Sequence, residues 1–378
     1  MDGVKLDCLH FRGDRPCAPH KREGVKCDDC AHYVPVRTRV LMIKLDAMGD
    51  VLRTTCLLPG ISARYDQPQI TWITGKASVP LLQKNPFVQR VLPTGDEALA
   101  LLAAEQFDVV LNLDASPRSA TLATLARGAQ KIGYVMNPRG HVEPTGPSAE
   151  HWFRMGLFDD LKKANRRSYQ DLMCEIAGLD PASCRYVLEL TESERAWARG
   201  WAAEAGLSAG AALGGERPLV GLNTGAGGRW QYKRWREEGY RELIHRLTAE
   251  LSAQVILLGG EEEQEENRRL ASSGFPRDIV VSGSHPVRRF TALVELCDAV
   301  VTGDTLAMHL SLAMRRPTVT FFGPTSPDEI ELFGLGEKLV PEMDCLVCYK
   351  ETCDFKPACM DLITTDQMYA AVRRALGR

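Results

Sequence analysis

RVLMIKL, residues 39–45, reads as a buried strand that leads through a turn at Ala47-Met48-Gly49-Asp50 into an apolar helix from Val51. QITWITG at 69–75, FDVVLNLD at 107–114 and KIGYV at 131–135 read as further strands with helical stretches between them. Apolar strands alternating with helices specify a parallel, doubly wound sheet. The same alternation returns later in the chain. PLVGLN at 218–223, QVILLGG at 254–260, DIVVSG at 278–283, AVVTGD at 299–304 and PTVTFFG at 317–323 form a second strand series. Two such domains make a cleft at their strand C-termini, where open α/β sheets bind ligands.

The divisions follow from composition. Residues 1–37 carry cysteines, three histidines and few aliphatics, and read as a small metal-held appendage. The first α/β series occupies 38–180, with an irregular Pro-, Gly- and basic-rich stretch at 136–165 and a helix ending near Gly178. Pro181 and the Gly/Ala-rich stretch at 205–215 mark the boundary, the second series fills 181–340, and 341–378 form a cysteine-rich tail with a final helix at about 365–376. A length of 378 residues suits two domains with their own cores.

Lys and Arg number 46 against 49 Asp and Glu, a net charge of −3. That balance argues against a general nucleic-acid binder. No apolar run approaches the ~20 residues needed to cross a bilayer, so a soluble, cytoplasmic chain with at most peripheral membrane contact is expected.

Eight of the twelve cysteines fall into two groups: Cys8, Cys17, Cys27 and Cys30, then Cys345, Cys348, Cys353 and Cys359. Each group holds one Cys-x2-Cys pair and two more thiols, the four-ligand inventory of a tetrahedral Zn or Fe site. Two disulfides per group are the alternative. The N-terminal MDGVKLDCLHFRGDRP has no apolar core of a signal peptide, and a reducing cytosol disfavours disulfides. A metal at each group is therefore expected, structural in role, because four thiolates leave no open position for substrate.

The chemistry concentrates in the second series. Strand 218–223 runs into Thr224-Gly225-Ala226-Gly227-Gly228, whose bare backbone amides can approach an anion, with Lys233 close behind. The loop has neither Walker A nor G-x-G-x-x-G spacing, and a flexible turn explains it equally well. AVVTGDTLAMHL is sharper: a strand ends at Gly303-Asp304 and a helix begins about Thr305, leaving free N–H groups that attract phosphate. Taken singly, Asp304 reads as a helix cap and His309 as a partly buried histidine. Taken with the Gly loop and Lys233, they converge on a diphosphate. Asp50 occupies the matching strand-to-helix turn of the first series, where it serves either as a cap or as a general base.

These residues carry a resemblance. The stretch 39–56, then NTGAGGRWQYKRW, LLGGEEEQEENRRLA and VTGDTLAMHLSLAMRRPTVTFFGPTSP, in this order, resemble the family 9 glycosyltransferases, the heptosyltransferases, over about residues 38–365. DCLVCYKETCDFKPACMDLIT resembles the cysteine-bearing tail of many members, and in related autotransporter heptosyltransferases a comparable group holds iron. The resemblance implies a GT-B fold, two Rossmann-like domains facing across a cleft, the first for the acceptor and the second for the donor. It implies inverting, metal-independent transfer of a sugar from a nucleotide diphosphate, commonly ADP-heptose. Asp50 then falls on the base, Thr224 and Lys233 on diphosphate contacts, and Glu261 on the residue that holds the ribose. Asp304 and Thr305 fall on sugar and phosphate contacts, and His309 on the family histidine. The family's Asp-Thr-Gly is Asp304-Thr305-Leu306 here, a side chain where the donor meets bare backbone.

Physical chemistry agrees with such a transfer, since Lys233 and the helix-305 amides can stabilise a departing diphosphate without a divalent metal. The alternatives are another GT-B enzyme using a UDP sugar, an epimerase, a non-catalytic metal-binding assembly protein, and an Fe–S carrier. The acceptor is expected to be a glycan, glycolipid or protein hydroxyl. Arg118, Arg139, Lys162, Lys163, Arg166 and Arg167 make a basic stretch that suits an anionic acceptor, and a solvated basic face reads equally well. A site at the inner face of the inner membrane and an oligomer are compatible with this reading. Trp230 and Trp235 flank Lys233 and read as packing residues.

Overall fold

The computed structural model describes residues 3–208, 210, 214–227, 231–272 and 278–378. Gly228 and Trp230, named above, lie outside them, as does part of the 205–215 stretch. The chain divides into two compact units, Met1–Asp46 with Cys56–Glu150 and Met173–Cys184, and Ala47–Thr55 with His151–Leu172 and Arg185–Arg378. The helix that follows the first strand therefore belongs to the second unit.

The first unit holds β1 (Thr38–Ile43), β2 (Pro68–Thr74), β3 (Val88–Pro93), β4 (Gln106–Asn112), β5 (Arg127–Met136) and β6 (Val142–Pro144) in the order β3-β2-β1-β4-β5-β6. All pairings are parallel except β5 with β6. β1 is buried on both faces from Val40 to Ile43, as a central parallel strand must be. Leu41, Ile43, Ile73, Val110, Phe107 and Leu102 form the core on one side of the sheet. β3 and β6 were not apparent from hydrophobic runs, because both are sheet-edge strands with partly exposed residues. The stretch 136–165 is not irregular throughout: helices Pro147–Leu157 and Asp159–Ala164 occupy its second half.

The second unit repeats the plan with β7 (Leu219–Asn223), β8 (Gln254–Leu258), β9 (Ile279–Val281), β10 (Ala299–Gly303), β11 (Thr318–Phe321) and β12 (Gly336–Leu339), ordered β12-β11-β10-β7-β8-β9 and parallel throughout. Every residue of β7, β8 and β10 is buried, which their continuous apolar runs anticipate. The final helix Thr365–Ala375 seats Met368 and Val372 in this core, and Trp235, 2% exposed, donates its indole N–H to the Ile363 carbonyl at 2.9 Å. Trp235 is thus a packing residue.

The N-terminal appendage contains a helix Ala18–Glu23, a turn Cys27–Asp29 and an isolated bridge between Cys8 and Pro35. Pro19 is the one buried residue among the described residues of 3–37, so apolar packing does little to hold it. Among the described residues no helix is long and apolar enough to cross a membrane.

One glycine in the first sheet is sterically required. Gly133 has φ +100° beside Asn112 of β4, and a Cβ there would overlap the Asn112 backbone carbonyl. Gly133→Ala is expected to cost about 3 kcal/mol from strain and overlap together, read as a lowered urea midpoint with unchanged slope. An unchanged midpoint would refute this assignment.

Candidate functional site

Three strand ends of the second unit converge. β7 passes into Thr224-Gly225-Ala226-Gly227, β8 into Gly259-Gly260-Glu261, and β10 into Asp304-Thr305 ahead of the helix Leu306–Ala313. Together they border a cavity of about 610 Å³, lined by Gly225, Gly227, Gly260, Glu261, Thr305 and Leu306, with Phe290 and His285 also on its wall. Bare backbone, a helix N-terminus and an aromatic side chain are what a nucleoside diphosphate needs.

The loops are held from behind. Glu263 accepts the Gly260 N–H at 2.8 Å and an Arg234 N–H at 3.0 Å, and Arg234 also reaches Glu266 at 3.1 Å. A Cβ on Gly225 would come within 2.7 Å of a Glu263 carboxyl oxygen, so the glycine lets this carboxylate sit under the loop. The Thr224 hydroxyl, 1% exposed, donates to Asn267 Oδ1 at 2.7 Å, turned toward that partner. Thr305 caps its helix, its hydroxyl accepting from the Ala307 N–H at 3.2 Å and from Asn223 Nδ2 at 3.3 Å. Glu261 stands exposed at the cavity.

Lys233 is occupied by Asp304. Its ammonium donates to Asp304 Oδ2 at 2.8 Å and to the Asp304 carbonyl at 3.3 Å. Burial pushes the Asp304 carboxyl up, and the Lys233 charge beside it outweighs that and holds it below its ordinary value. An ionised pair therefore stands near the helix N-terminus.

Asp50 sits at the third position of the helix Met48–Thr54, accepting the Ala47 N–H at 3.4 Å. Its other oxygen pairs with Arg53 at 2.9 Å. The Arg53 guanidinium lies 3.7 Å from the Tyr169 ring centroid, and Tyr169 shares a 2.7 Å hydrogen bond with Thr54, which itself donates to the Asp50 carbonyl. Burial opposes the Arg53 charge, but Asp50 and its neighbours more than offset it, so the group stays a cation. Its Nε is buried without a partner.

Gly49 brings this helix onto Leu306–Ala313. A Cβ at Gly49 would meet His309 Cδ2 at 2.8 Å, so only glycine allows the approach. His309 Nδ1 lies 3.1 Å from the Tyr186 hydroxyl, which also accepts from Gln170 at 2.9 Å. Burial, then the Arg53 charge, pushes the His309 pKa down to about 4. At neutral pH it is uncharged and adds no cation for a diphosphate.

Arg118 and Arg139 lie in the first unit, Arg118 donating to the Thr94 hydroxyl at 2.5 Å and Arg139 in the 137–140 turn. Lys162, Arg166 and Arg167 lie in the second, Lys162 placing its ammonium 4.3 Å from the Tyr349 ring centroid. Arg53, Tyr169 and Glu263 were not anticipated. The i,i+3 spacing of Asp50 and Arg53 on one helix was the available signal for the first; Tyr169 and Glu263 gave none, being brought in by tertiary packing.

All eight clustered cysteines are free thiols. Among the described residues no group of three or more His, Cys, Asp or Glu side chains is placed to hold a metal ion, which departs from the expectation of a metal at each group. Cys8, Cys17, Cys27 and Cys30 instead border a cavity of about 440 Å³. In the tail, burial pushes the Cys359 thiol up to about 11, with Cys353, Cys348 and Cys345 adding to it, so the four sulfurs share one neighbourhood. Thiolates in fours suit Zn or Fe by donor chemistry.

The depressed His309 pKa makes a thermodynamic prediction. The unfolded chain takes up this proton near the ordinary value of 6.5 and the folded one only near 4, so His309's share of stability is complete above 6.5 and falls as pH drops toward 4. The loss amounts to about 3 kcal/mol. Urea unfolding of the wild type and His309→Gln across this window should show a steeper pH slope for the wild type; parallel curves would refute it.

The family described as glycosyltransferase family 9 (heptosyltransferase) matches residues 99–359. Lipopolysaccharide heptosyltransferase 2 of Salmonella typhimurium is 26% identical over 312 residues, 77% of this chain and 84% of that protein. The solved structure of Escherichia coli ADP-heptose lps heptosyltransferase II superposes with a TM-score of 0.67 at 22% identity, covering 89% of this chain and 98% of that one. The iron-containing dodecameric glycosyltransferase TibC of Escherichia coli gives 0.55 at 13%, covering 90% and 76%. With two doubly wound sheets and a glycine-walled cavity at the strand ends of the second, the chain belongs to glycosyltransferase family 9, the heptosyltransferases.

Proposed function

We propose that the protein transfers heptose from ADP-heptose, with inversion, to a hydroxyl of a lipopolysaccharide-core-like glycan acceptor. The observation that carries this reading is the cavity walled by the Gly225 and Gly260 loops and the Leu306 helix start, beside the Lys233–Asp304 pair. The names of the relatives, lipopolysaccharide and ADP-heptose heptosyltransferases, supply the substrates.

Residues 181–340 take the donor and 38–180 the acceptor. The diphosphate meets the backbone amides of the 224–227 loop and the first turn of the 306 helix, Thr305 being its cap. Thr224 serves by holding that loop through Asn267. Glu261 binds the ribose hydroxyls. Lys233 shifts from Asp304 to the leaving diphosphate, and Asp304 then turns to the sugar. His309, neutral, supports the Gly49 contact. Asp50 takes the proton of the acceptor hydroxyl as that oxygen attacks the anomeric carbon, the carbon–oxygen bond to the diphosphate breaks, and ADP departs with the electron pair. One displacement inverts the centre, so no covalent intermediate forms, and Lys233 with the backbone amides stabilises the leaving diphosphate without a divalent metal. Leu306 narrows the donor wall where the family has glycine, which keeps a UDP sugar as the second reading; calorimetry with ADP and UDP sugars separates the two. The basic residues Arg118 and Arg139 meet the anionic acceptor. The reaction takes place on the cytoplasmic side of the inner membrane, and an oligomer, as in dodecameric TibC, belongs to the same proposal.

Each cysteine group holds a structural Zn or Fe: Cys8, Cys17, Cys27 and Cys30 at the start, and Cys345, Cys348, Cys353 and Cys359 in the tail. Support comes from the shared neighbourhood of each set of thiols and from the iron of TibC. The metal supplies folding energy to segments with little apolar core.

Asp50→Asn is expected to bind ADP as the wild type does and to lose transfer by at least about a hundredfold, since a positioned base contributes 10²–10⁴-fold; near-normal turnover would remove Asp50 from the reaction. Lys233→Ala should weaken ADP binding as well as transfer, and unchanged ADP affinity would contradict its role. Elemental analysis of reduced, chelator-free protein should find about two equivalents of Zn or Fe, and less than about half an equivalent would end both metal assignments.

A further inference from the structure

The tail between Cys345 and Cys359 reaches the Asp50 end of the second unit through one side chain. The Tyr349 N–H donates to the Pro324 carbonyl at 2.8 Å, and its hydroxyl donates to Glu329 Oε1 at 3.1 Å while accepting the Ser326 N–H at 3.4 Å. Two residues earlier, the Val347 N–H donates to the Gly323 carbonyl at 2.8 Å. The loop that follows β11 is thus pinned at successive points by one short stretch of tail. Val347 and Tyr349 adopt φ of 58° and 50°, a left-handed backbone that side-chain-bearing residues rarely take. Such conformations persist where the surroundings dictate them, and they cluster where a chain must aim a group. Lys162 covers the Tyr349 ring at 4.3 Å.

From Glu329 two links lead to Arg53. Its carbonyl accepts the Tyr169 N–H at 3.0 Å, and the Tyr169 ring carries the Arg53 guanidinium at 3.7 Å. Its carboxyl, pushed up by burial and drawn down by Arg53, feels the same cation that pairs with Asp50 at 2.9 Å. Arg53 therefore lies against the ring that Glu329 holds and pairs with Asp50 at the other end of this chain of contacts, so whatever fixes Glu329 bears on where Arg53 is placed.

We propose that Tyr349 is a positioning residue of the transfer: by holding Glu329 it sets Arg53, and through Arg53 the orientation of Asp50. The cysteine-bearing tail is then part of the support of the reacting carboxylate and not solely the anchor of the final helix. The proposal rests on Asp50 being the base.

Tyr349→Phe keeps the ring and its Lys162 contact and removes one hydroxyl. It should leave ADP affinity unchanged, lower kcat about tenfold and move the donor KM by less than about twofold, the split expected when positioning for the transition state is lost. Glu329→Ala, which removes the oxygen that Tyr349 holds, should reproduce the effect. Introduced into Arg53→Lys, Tyr349→Phe should add no further loss, because the two act along one path. In enzyme without substrate, the Arg53 Nε–H resonance, assigned by its disappearance in Arg53→Lys, should shift in Tyr349→Phe. A kcat within about twofold of wild type, or losses that multiply in the double variant with an unmoved resonance, would overturn the proposal. The resonance is read without turnover, so a shift combined with an active Asp50→Asn would retire the base and leave the Tyr349–Arg53 coupling standing.

Discussion

The contact between Gly49 and His309 organises the candidate site. It lets the helix Met48–Thr54, which leaves the first sheet's central strand, lie against the helix Leu306–Ala313, whose start borders the glycine-walled cavity. Any side chain at Gly49 would have to displace a buried imidazole, and the neighbouring Asp50 and Arg53 would move with the helix. His309 is suited to this place because burial keeps it neutral, and a neutral ring can accept close backbone without a desolvated charge. The Tyr186 hydroxyl satisfies its nitrogen inside the packing.

Around this contact the fold arranges its charges in pairs. Asp304 with Lys233 and Asp50 with Arg53 are each near 2.8–2.9 Å, and both pairs are partly withdrawn from water. A buried carboxylate without its partner would carry a large desolvation cost, so Lys233 is a condition for Asp304 staying ionised. If Lys233 changes partner to meet a diphosphate, the exchange leaves no buried charge unpaired only when Asp304 finds donors of its own, such as sugar hydroxyls. Binding energy from the rest of a donor molecule is the natural source for that exchange.

Most of the fold was legible because parallel strands buried on both faces read as continuous apolar runs: RVLMIKL, QVILLGG and AVVTGD each became a central strand. The edge strands β3, β6 and β12 lack that signature, one face or end being open to solvent, and the helices within 136–165 were hidden by their polar composition. At the site, Asp50, Lys233, Asp304 and Thr305 were marked by their strand-to-helix turns and by resemblance. Glu263, Tyr169 and Glu329 were not, since each acts through a tertiary contact that no local pattern encodes: a carboxylate beneath a glycine loop, a ring beneath a guanidinium, an acid held by a tail tyrosine. The cysteine groups were the reverse case, conspicuous in spacing, with thiols that the described structure gathers into neighbourhoods without closing them on a point.

Arg53 poses the sharper question for a base at Asp50. A guanidinium at 2.9 Å takes up one of the two oxygens that a base would use. The gain is orientation: a short ion pair from a guanidinium held over an aromatic ring fixes one carboxylate oxygen, and the Ala47 N–H at 3.4 Å orients the other. In a loose, charge-separating displacement the acceptor proton grows acidic only as the bond from the sugar to the diphosphate breaks, so a base held in place serves better than one that wanders.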